Sequence, residues 1–135
     1  MMSAAEQVLT RNQQAVLDVL TEATGPLSAY GILDALRPAG FRAPLQVYRA
    51  LDKLLEAGLA HRIESMNAFV ACASPDDAHH EAIVFMLCEN CGQTVEFADH
   101  KLAHRLDELC HMKDFQAHKQ TIEIRGLCAR CAKAA

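Results

Sequence analysis

The stretch PLQVYRALDKLLEAGLAHRIESMNAFVAC (Pro44–Cys72) decides the fold, because a helical pattern is followed directly by a hairpin pattern. Proline is favoured at the first position of a helix, and Gly58 comes just after the last apolar residue at helical spacing. We therefore predict a helix over 44–57. Two short apolar runs follow, at 59–64 and 68–72, and the Ser-Met-Asn turn between them predicts a β-hairpin.

Two further helices are predicted before this stretch. Apolar residues at helical spacing cover 11–23, and a Gly-Pro pair ends that run. Ser28 is placed to cap a second helix that ends near Arg37. Three helices followed by a hairpin are typical of the winged helix-turn-helix, so we predict such a domain over residues 1–73.

The pattern changes after the hairpin. Residues 74–78 form a polar linker, and 79–135 contain two strand patterns, an amphipathic helix and a last strand pattern at 120–126. The helix is expected to turn three leucines inward: Leu102, Leu106 and Leu109. The fold class is therefore α+β, with a small α/β domain after the winged helix.

The composition is that of a folded protein, with 51% hydrophobic and 22% charged residues among 135. The N-terminus lacks the pattern of a signal peptide, and no apolar run is long enough to span a membrane, so we expect a cytoplasmic protein. The net charge of −4 argues against broad contact with nucleic acid. Within 28–62, however, basic residues outnumber acidic ones, and contact with a polyanion is expected there.

Two C-x-x-C pairs lie in the second half, with 36 residues between them: Cys88 and Cys91, then Cys128 and Cys131. Four thiolates can surround one Zn²⁺ ion in a closed tetrahedral site, which is typical of structural zinc. A thioredoxin-like redox pair is the alternative, but it leaves the second pair unexplained. We predict a structural zinc site.

Signs of an enzyme are weak. His79, His80 and Glu81 before Cys88 superficially match the signature of zinc deaminases, but Leu87 stands where a proline is required, and the spacing is short. The chain has no phosphate-binding glycine loop and no nucleophile motif. We predict that the protein is not an enzyme and has no small-molecule substrate.

The order of these parts resembles the ferric uptake regulator (Fur) superfamily, most closely its zinc uptake regulator (Zur) branch. The resemblance rests on SAYGILDALR, APLQVYRALDKLLEAGLAHRIE, CENCGQTVEF and GLCARC, and it covers almost the whole chain. One departure is Pro-Leu-Gln at 44–46, where members usually have a small hydroxyl residue before Val-Tyr-Arg. The resemblance implies a zinc-loaded homodimer that binds operator DNA and represses zinc uptake genes, with 74–78 as hinge and 79–135 as the dimerisation domain. No contact with a membrane is expected.

The resemblance also implies a regulatory zinc site, so that each subunit would hold two Zn²⁺ ions. The corresponding ligands are His61, Cys72, Glu96 and either His79 or His80. One thiolate, two imidazoles and one carboxylate suit tetrahedral Zn²⁺, and Cys72 argues against an iron or peroxide sensor.

For DNA, the helix 44–57 is expected to enter the major groove, where Arg49 would read guanine. Tyr48 would contact a phosphate or a thymine methyl group. The remaining predicted DNA contacts are Tyr30, Arg42, Gln46, Lys53 and Arg62. Two alternatives stay open: an iron-responsive Fur-type repressor, and a zinc-ribbon interaction module that does not bind DNA.

Overall fold

The computed structural model describes residues 8–73 and 82–134. The chain divides into two compact units, 1–76 and 77–135. The predicted hinge at 74–78 lies outside the described residues, so its bounds stay a prediction.

In its described part, the first unit contains α1 (Arg11–Glu22), α2 (Ala29–Leu36), α3 (Pro44–Glu56), β1 (Ala60–Ile63) and β2 (Ala68–Ala71). Side chains cap the first two helices. The hydroxyl of Thr10 accepts a hydrogen bond from the backbone N–H of Gln13 at 3.2 Å. The hydroxyl of Ser28 accepts one from the N–H of Gly31 at 3.1 Å, so the predicted cap is confirmed.

One hydrophobic core holds the three helices against the hairpin. Its members include Val16, Ile32, Leu33, Val47, Leu51, Leu54 and Phe69. Three of these recur along one side of α3 at helical spacing, which places that side of α3 inside the core. The opposite side of α3 is therefore left at the surface.

The hairpin is tied to the helices by a short extra bridge. Leu27 and Phe69 exchange two backbone hydrogen bonds, of 3.0 and 2.8 Å. At the tip, Asn67 adopts a left-handed conformation (φ 48°), which asparagine tolerates better than most residues. The predicted hairpin is thus confirmed, and it pairs in register from Ala60↔Ala71 to Ile63↔Ala68.

In its described part, the second unit contains β3 (Ile83–Cys88), β4 (Thr94–Ala98), α4 (His100–Met112), β5 (Thr121–Gly126) and α5 (Ala129–Ala134). The strands form a sheet in the order β4-β3-β5. β3 runs antiparallel to β4 and parallel to β5. Because β3 is the central strand, its side chains are the most buried, and Phe85 is completely covered.

Two features of the second unit differ from the prediction. On α4 the buried residue is Ala103, while Leu102 and Leu106 are half-buried and Leu109 is 40% exposed. The rest of the second unit therefore buries only part of the side of α4 that carries these three leucines. The short helix α5 was not predicted, because its six residues carry no clear apolar period. Among the described residues, no helix is both long and apolar enough to cross a membrane.

Candidate metal centres and nucleic-acid interface

The parallel pairing of β3 and β5 brings the two C-x-x-C pairs together. Cys88 ends β3 opposite Gly126 of β5, so both pairs follow strands that end at the same edge of the sheet. The four sulfur atoms, of Cys88, Cys91, Cys128 and Cys131, all lie within 4.8 Å of one another. The Sγ atoms of Cys91 and Cys128 are 3.8 Å apart.

These distances fit a tetrahedral zinc site. With Zn–S bonds of about 2.3 Å, the edge of a regular tetrahedron of sulfur atoms measures about 3.8 Å. A disulfide would require sulfur atoms about 2.05 Å apart, and all four cysteines are free thiols. Bound Zn²⁺ would supply charge neutralisation and a cross-link between the two ends of the unit.

The surroundings lower the pKa of two of these thiols, Cys88 and Cys128, and raise that of Cys131. Backbone hydrogen bonds from Cys91 and Cys128 lower the pKa of Cys88 to about 5, so that this thiol is ionised at neutral pH. Cys131 behaves in the opposite way. The Asn90 side chain lowers its pKa, but hydrogen bonding to Cys128, burial, and contact with Cys88 and Cys91 outweigh this and raise it to about 11. Thiolates at this spacing repel one another, and a central cation would remove that repulsion.

Two neighbours of the cluster were not anticipated from sequence. The Asn90 side-chain amide donates to Cys131 Sγ at 3.3 Å. The guanidinium of Arg130 hydrogen-bonds to Cys91, and this contact raises the pKa of Arg130. Both side chains bring positive charge or N–H donors to sulfur, as the surroundings of metal ligands commonly do. Their positions in the sequence could have indicated these contacts, because Asn90 and Arg130 each lie between the two cysteines of a C-x-x-C pair.

In the first unit, the hairpin brings two predicted regulatory ligands together. His61 pairs with Val70, and Cys72 donates its backbone N–H to Leu59 O at 2.8 Å, so both side chains point to one face of the hairpin. Their ligand atoms lie within 4.8 Å of each other. His61 is only 9% exposed. This pair offers one nitrogen and one sulfur donor, a set that suits zinc.

The remaining predicted ligands belong to the second unit. Glu96 lies on β4, paired with Phe85, and is half-buried. His79 and His80 lie outside the described residues. Their assignment as alternative ligands therefore stays a prediction.

Four of the predicted DNA contacts lie on α3: Gln46, Tyr48, Arg49 and Lys53. Arg49 is exposed and lines a polar notch of about 300 Å³ with Gln46, on the side of α3 next to the start of α1. The other polar residues of that notch are Thr10, Asn12 and Gln13. Sequence reasoning missed these three, because nothing local indicates that the start of α1 lies beside Arg49. Tyr48 is 40% exposed on the same helix.

Several of the predicted contacts already have partners within the chain. The Gln46 carbonyl oxygen accepts hydrogen bonds from two backbone N–H groups at the start of α3, so this part of its side chain serves as a cap. Arg62 contacts Asn67 at 2.8 Å in the hairpin turn. Lys53 pairs with Glu56 at 3.4 Å on the surface. Tyr30 and Arg42 are exposed.

The chain is similar to known proteins in both sequence and structure. The ferric uptake regulator family model matches residues 5–125. The zinc uptake regulation protein of Escherichia coli (strain K12) is 37% identical over 126 residues, which cover 93% of this chain and 73% of that protein. The crystal structure of holo XcZur has a TM-score of 0.86 at 42% identity, over 96% of this chain and 89% of that one. A zinc uptake regulator complexed with zinc and DNA has a TM-score of 0.88 at 36% identity, over 94% and 85%.

These similarities confirm the predicted α+β class and its arrangement of a winged helix followed by a small α/β domain with a cysteine cluster. The resemblance stated from the sequence motifs is confirmed as well. Because the matched proteins are regulators, the prediction that this chain is not an enzyme is also confirmed.

Proposed function

Because the chain belongs to the ferric uptake regulator family, we propose that it is a zinc-responsive transcriptional repressor that binds operator DNA as a homodimer. Zinc uptake genes are its proposed targets. The proposal places DNA binding in residues 1–73, the hinge at 74–78 and dimerisation in 79–135. Such a protein acts where the operator is, in the cytoplasm.

The single observation that carries the zinc assignment is that the ligand atoms of His61 and Cys72 lie within 4.8 Å of each other on the hairpin. A buried imidazole next to a thiolate favours zinc over iron, which prefers nitrogen and oxygen ligands in sensors of this kind. Glu96 and either His79 or His80 complete the proposed site. With the four-cysteine site, each subunit would hold two Zn²⁺ ions.

The proposed mechanism follows from where these ligands lie along the chain. His61 and Cys72 belong to the first unit, whereas Glu96 belongs to the second. One ion that takes ligands from both units restricts their relative orientation. If operator DNA requires that orientation, zinc and DNA each strengthen the binding of the other.

Homodimerisation is supported by an exposed apolar row on the sheet of the second unit. Met86 pairs with Val95 on one side and with Ile124 on the other, so these three side chains form a row across the sheet. All three are exposed within one chain. A second copy covering this row would bury it and would create the twofold symmetry that a palindromic operator matches.

The proposed function is tested with DNA selected from a random pool by the zinc-loaded protein. We expect Zn²⁺ to tighten binding to the selected duplex by roughly 5–150-fold relative to chelator-treated protein, the usual range of allosteric coupling. Gel-shift titrations measure this effect. If Fe²⁺ tightened binding as much as Zn²⁺ does, and did so at a lower metal concentration, the iron-responsive alternative would be supported. Failure to enrich any DNA would support the interaction module instead.

Replacing Arg49 tests the role of α3 in reading bases. Arg49→Ala is expected to weaken binding to the selected duplex by about 10–100-fold while leaving binding to unrelated DNA nearly unchanged, because a bidentate contact with guanine is lost. Lys53→Ala is the matched control, since losing a phosphate contact weakens binding to all sequences alike. Competition binding with both duplexes measures the difference. If Arg49→Ala lowered the affinity for both duplexes equally, Arg49 would not be a base-reading residue.

A further inference from the structure

The exposed side of α3 begins with a large apolar residue. Leu45 is the second residue of α3 and is 56% exposed. At 100° per residue, Leu45 and Arg49 lie about 40° apart around the helix and one turn apart along it. Both point away from the side that carries buried Val47 and Leu51. Leu45 therefore shares the outer surface of α3 with the residue proposed to read guanine.

The distribution of charge selects this end of α3 for contact with DNA. The first turn has no acidic residue. The later turns expose Lys53 together with Asp52 and Glu56, so the acidic residues outnumber the basic one there and make this end less favourable for phosphate. Recognition helices also contact base edges mainly through their N-terminal residues. Leu45, Tyr48 and Arg49 are thus the exposed side chains of α3 that would lie deepest in the groove.

The backbone that presents Leu45 is held firmly. Pro44 opens α3, and the Gln46 side-chain oxygen accepts hydrogen bonds from Arg42 N at 2.7 Å and Ala43 N at 3.0 Å. These bonds fix the start of the helix on both sides of Leu45. The leucine side chain cannot donate or accept a hydrogen bond, so it can recognise only an apolar feature of a base.

We infer that Leu45 is a specificity-determining residue that packs against the 5-methyl group of thymine in the major groove. The inference rests on the proposed function, because it requires α3 to enter DNA. Thymine is the base that presents a methyl group there, and apolar side chains are its usual partners. Tyr48 lies about 60° to one side of Leu45 around α3, where it borders the groove. Since Leu45 and Arg49 are one turn apart, the thymine lies within about two base pairs of the guanine that Arg49 reads.

The test replaces thymine by uracil, which removes the methyl group and nothing else. Each thymine of the duplex selected by the zinc-loaded protein is changed to uracil in turn, and affinities are measured for the parent, Leu45→Ala and Leu45→Met proteins. At one position per half-site, the parent is expected to bind uracil about fourfold more weakly, as for one methyl group removed from an apolar contact. Leu45→Met should keep this difference, and Leu45→Ala should bind thymine and uracil equally.

Met66→Ala is the matched control, because Met66 is an exposed apolar residue in the hairpin turn rather than on α3. It should keep the parent's preference for thymine. An unchanged preference in Leu45→Ala, or a parent that binds thymine and uracil equally at every position, would overturn the inference but leave the proposed function intact. A protein that enriches no DNA at all would overturn both. Leu45→Ala is expected to fold, since it replaces an exposed residue by a strong helix former.

Discussion

Replacing Cys128 by serine is expected to abolish tight zinc binding in the second unit and to unfold that unit. Cys128 is one of four sulfur donors within 4.8 Å of one another. Its loss leaves three thiols around the ion. In small zinc domains the apparent binding free energy of structural zinc is about 10–16 kcal/mol at pH 7, and it contributes directly to folding. The effect should therefore exceed that of any single substitution in the core, which costs about 2–5 kcal/mol.

Native mass spectrometry after treatment with a strong chelator measures the zinc that remains, and circular dichroism measures unfolding. Cys110→Ser is the matched control, because Cys110 lies on α4 and does not belong to the cluster. It should retain its zinc and melt like the parent. A Cys128→Ser protein that keeps one chelator-resistant zinc ion and an unchanged melting curve would show that the four cysteines do not form a structural site.

Replacing Cys72 by serine is expected to raise the zinc concentration that DNA binding requires, without unfolding the protein. Cys72 follows β2 and lies beside His61, in the first unit rather than in the cysteine cluster. Serine has nearly the same size but is a much weaker ligand for zinc. Changes to residues that merely support a metal ligand already cost 10–100-fold in affinity. We expect the zinc concentration that gives half-maximal DNA binding to rise by at least about 100-fold.

This prediction is measured by titrating buffered zinc into a gel-shift assay with the selected duplex. The structural zinc ion should remain bound in Cys72→Ser, and Cys110→Ser should respond to zinc like the parent. Glu96→Gln should raise the required zinc concentration as well, because a carboxylate ligand is lost. If Cys72→Ser and Glu96→Gln both respond like the parent, the proposed regulatory site is wrong.

Much of the first unit could be predicted from sequence because its signals are local. The cap at Ser28, the proline that opens α3 and the turn at Asn67 each act within a few residues. The bridge between Leu27 and Phe69 could not be predicted, because no local pattern links residues so far apart. The surroundings of Arg49 could not be predicted either, because three of its polar neighbours come from the start of α1 and the residue that caps it.

The metal sites show a similar division. Two C-x-x-C pairs indicate zinc by residue type and spacing alone. The hydrogen bond from Asn90 to Cys131 depends on how the two C-x-x-C pairs lie relative to each other, so it could not be predicted from the sequence. Gln46 has a second role that its residue type and position do not indicate. Its place on the polar side of α3 predicts a DNA contact, which stays a prediction, and in the structure its side-chain carbonyl oxygen caps the helix start.

The pairing of β3 with β5 has a consequence during synthesis. Cys88 and Cys91 leave the ribosome before β5 and α5 exist, and the other two thiols that would share their metal arrive last in this unit. At about 5–20 residues per second, the first pair waits roughly two to nine seconds without its partners. During that interval the nascent chain exposes Cys88 and Cys91 as unprotected thiols, so a zinc site built from them would require that both stay reduced until the second pair has been made.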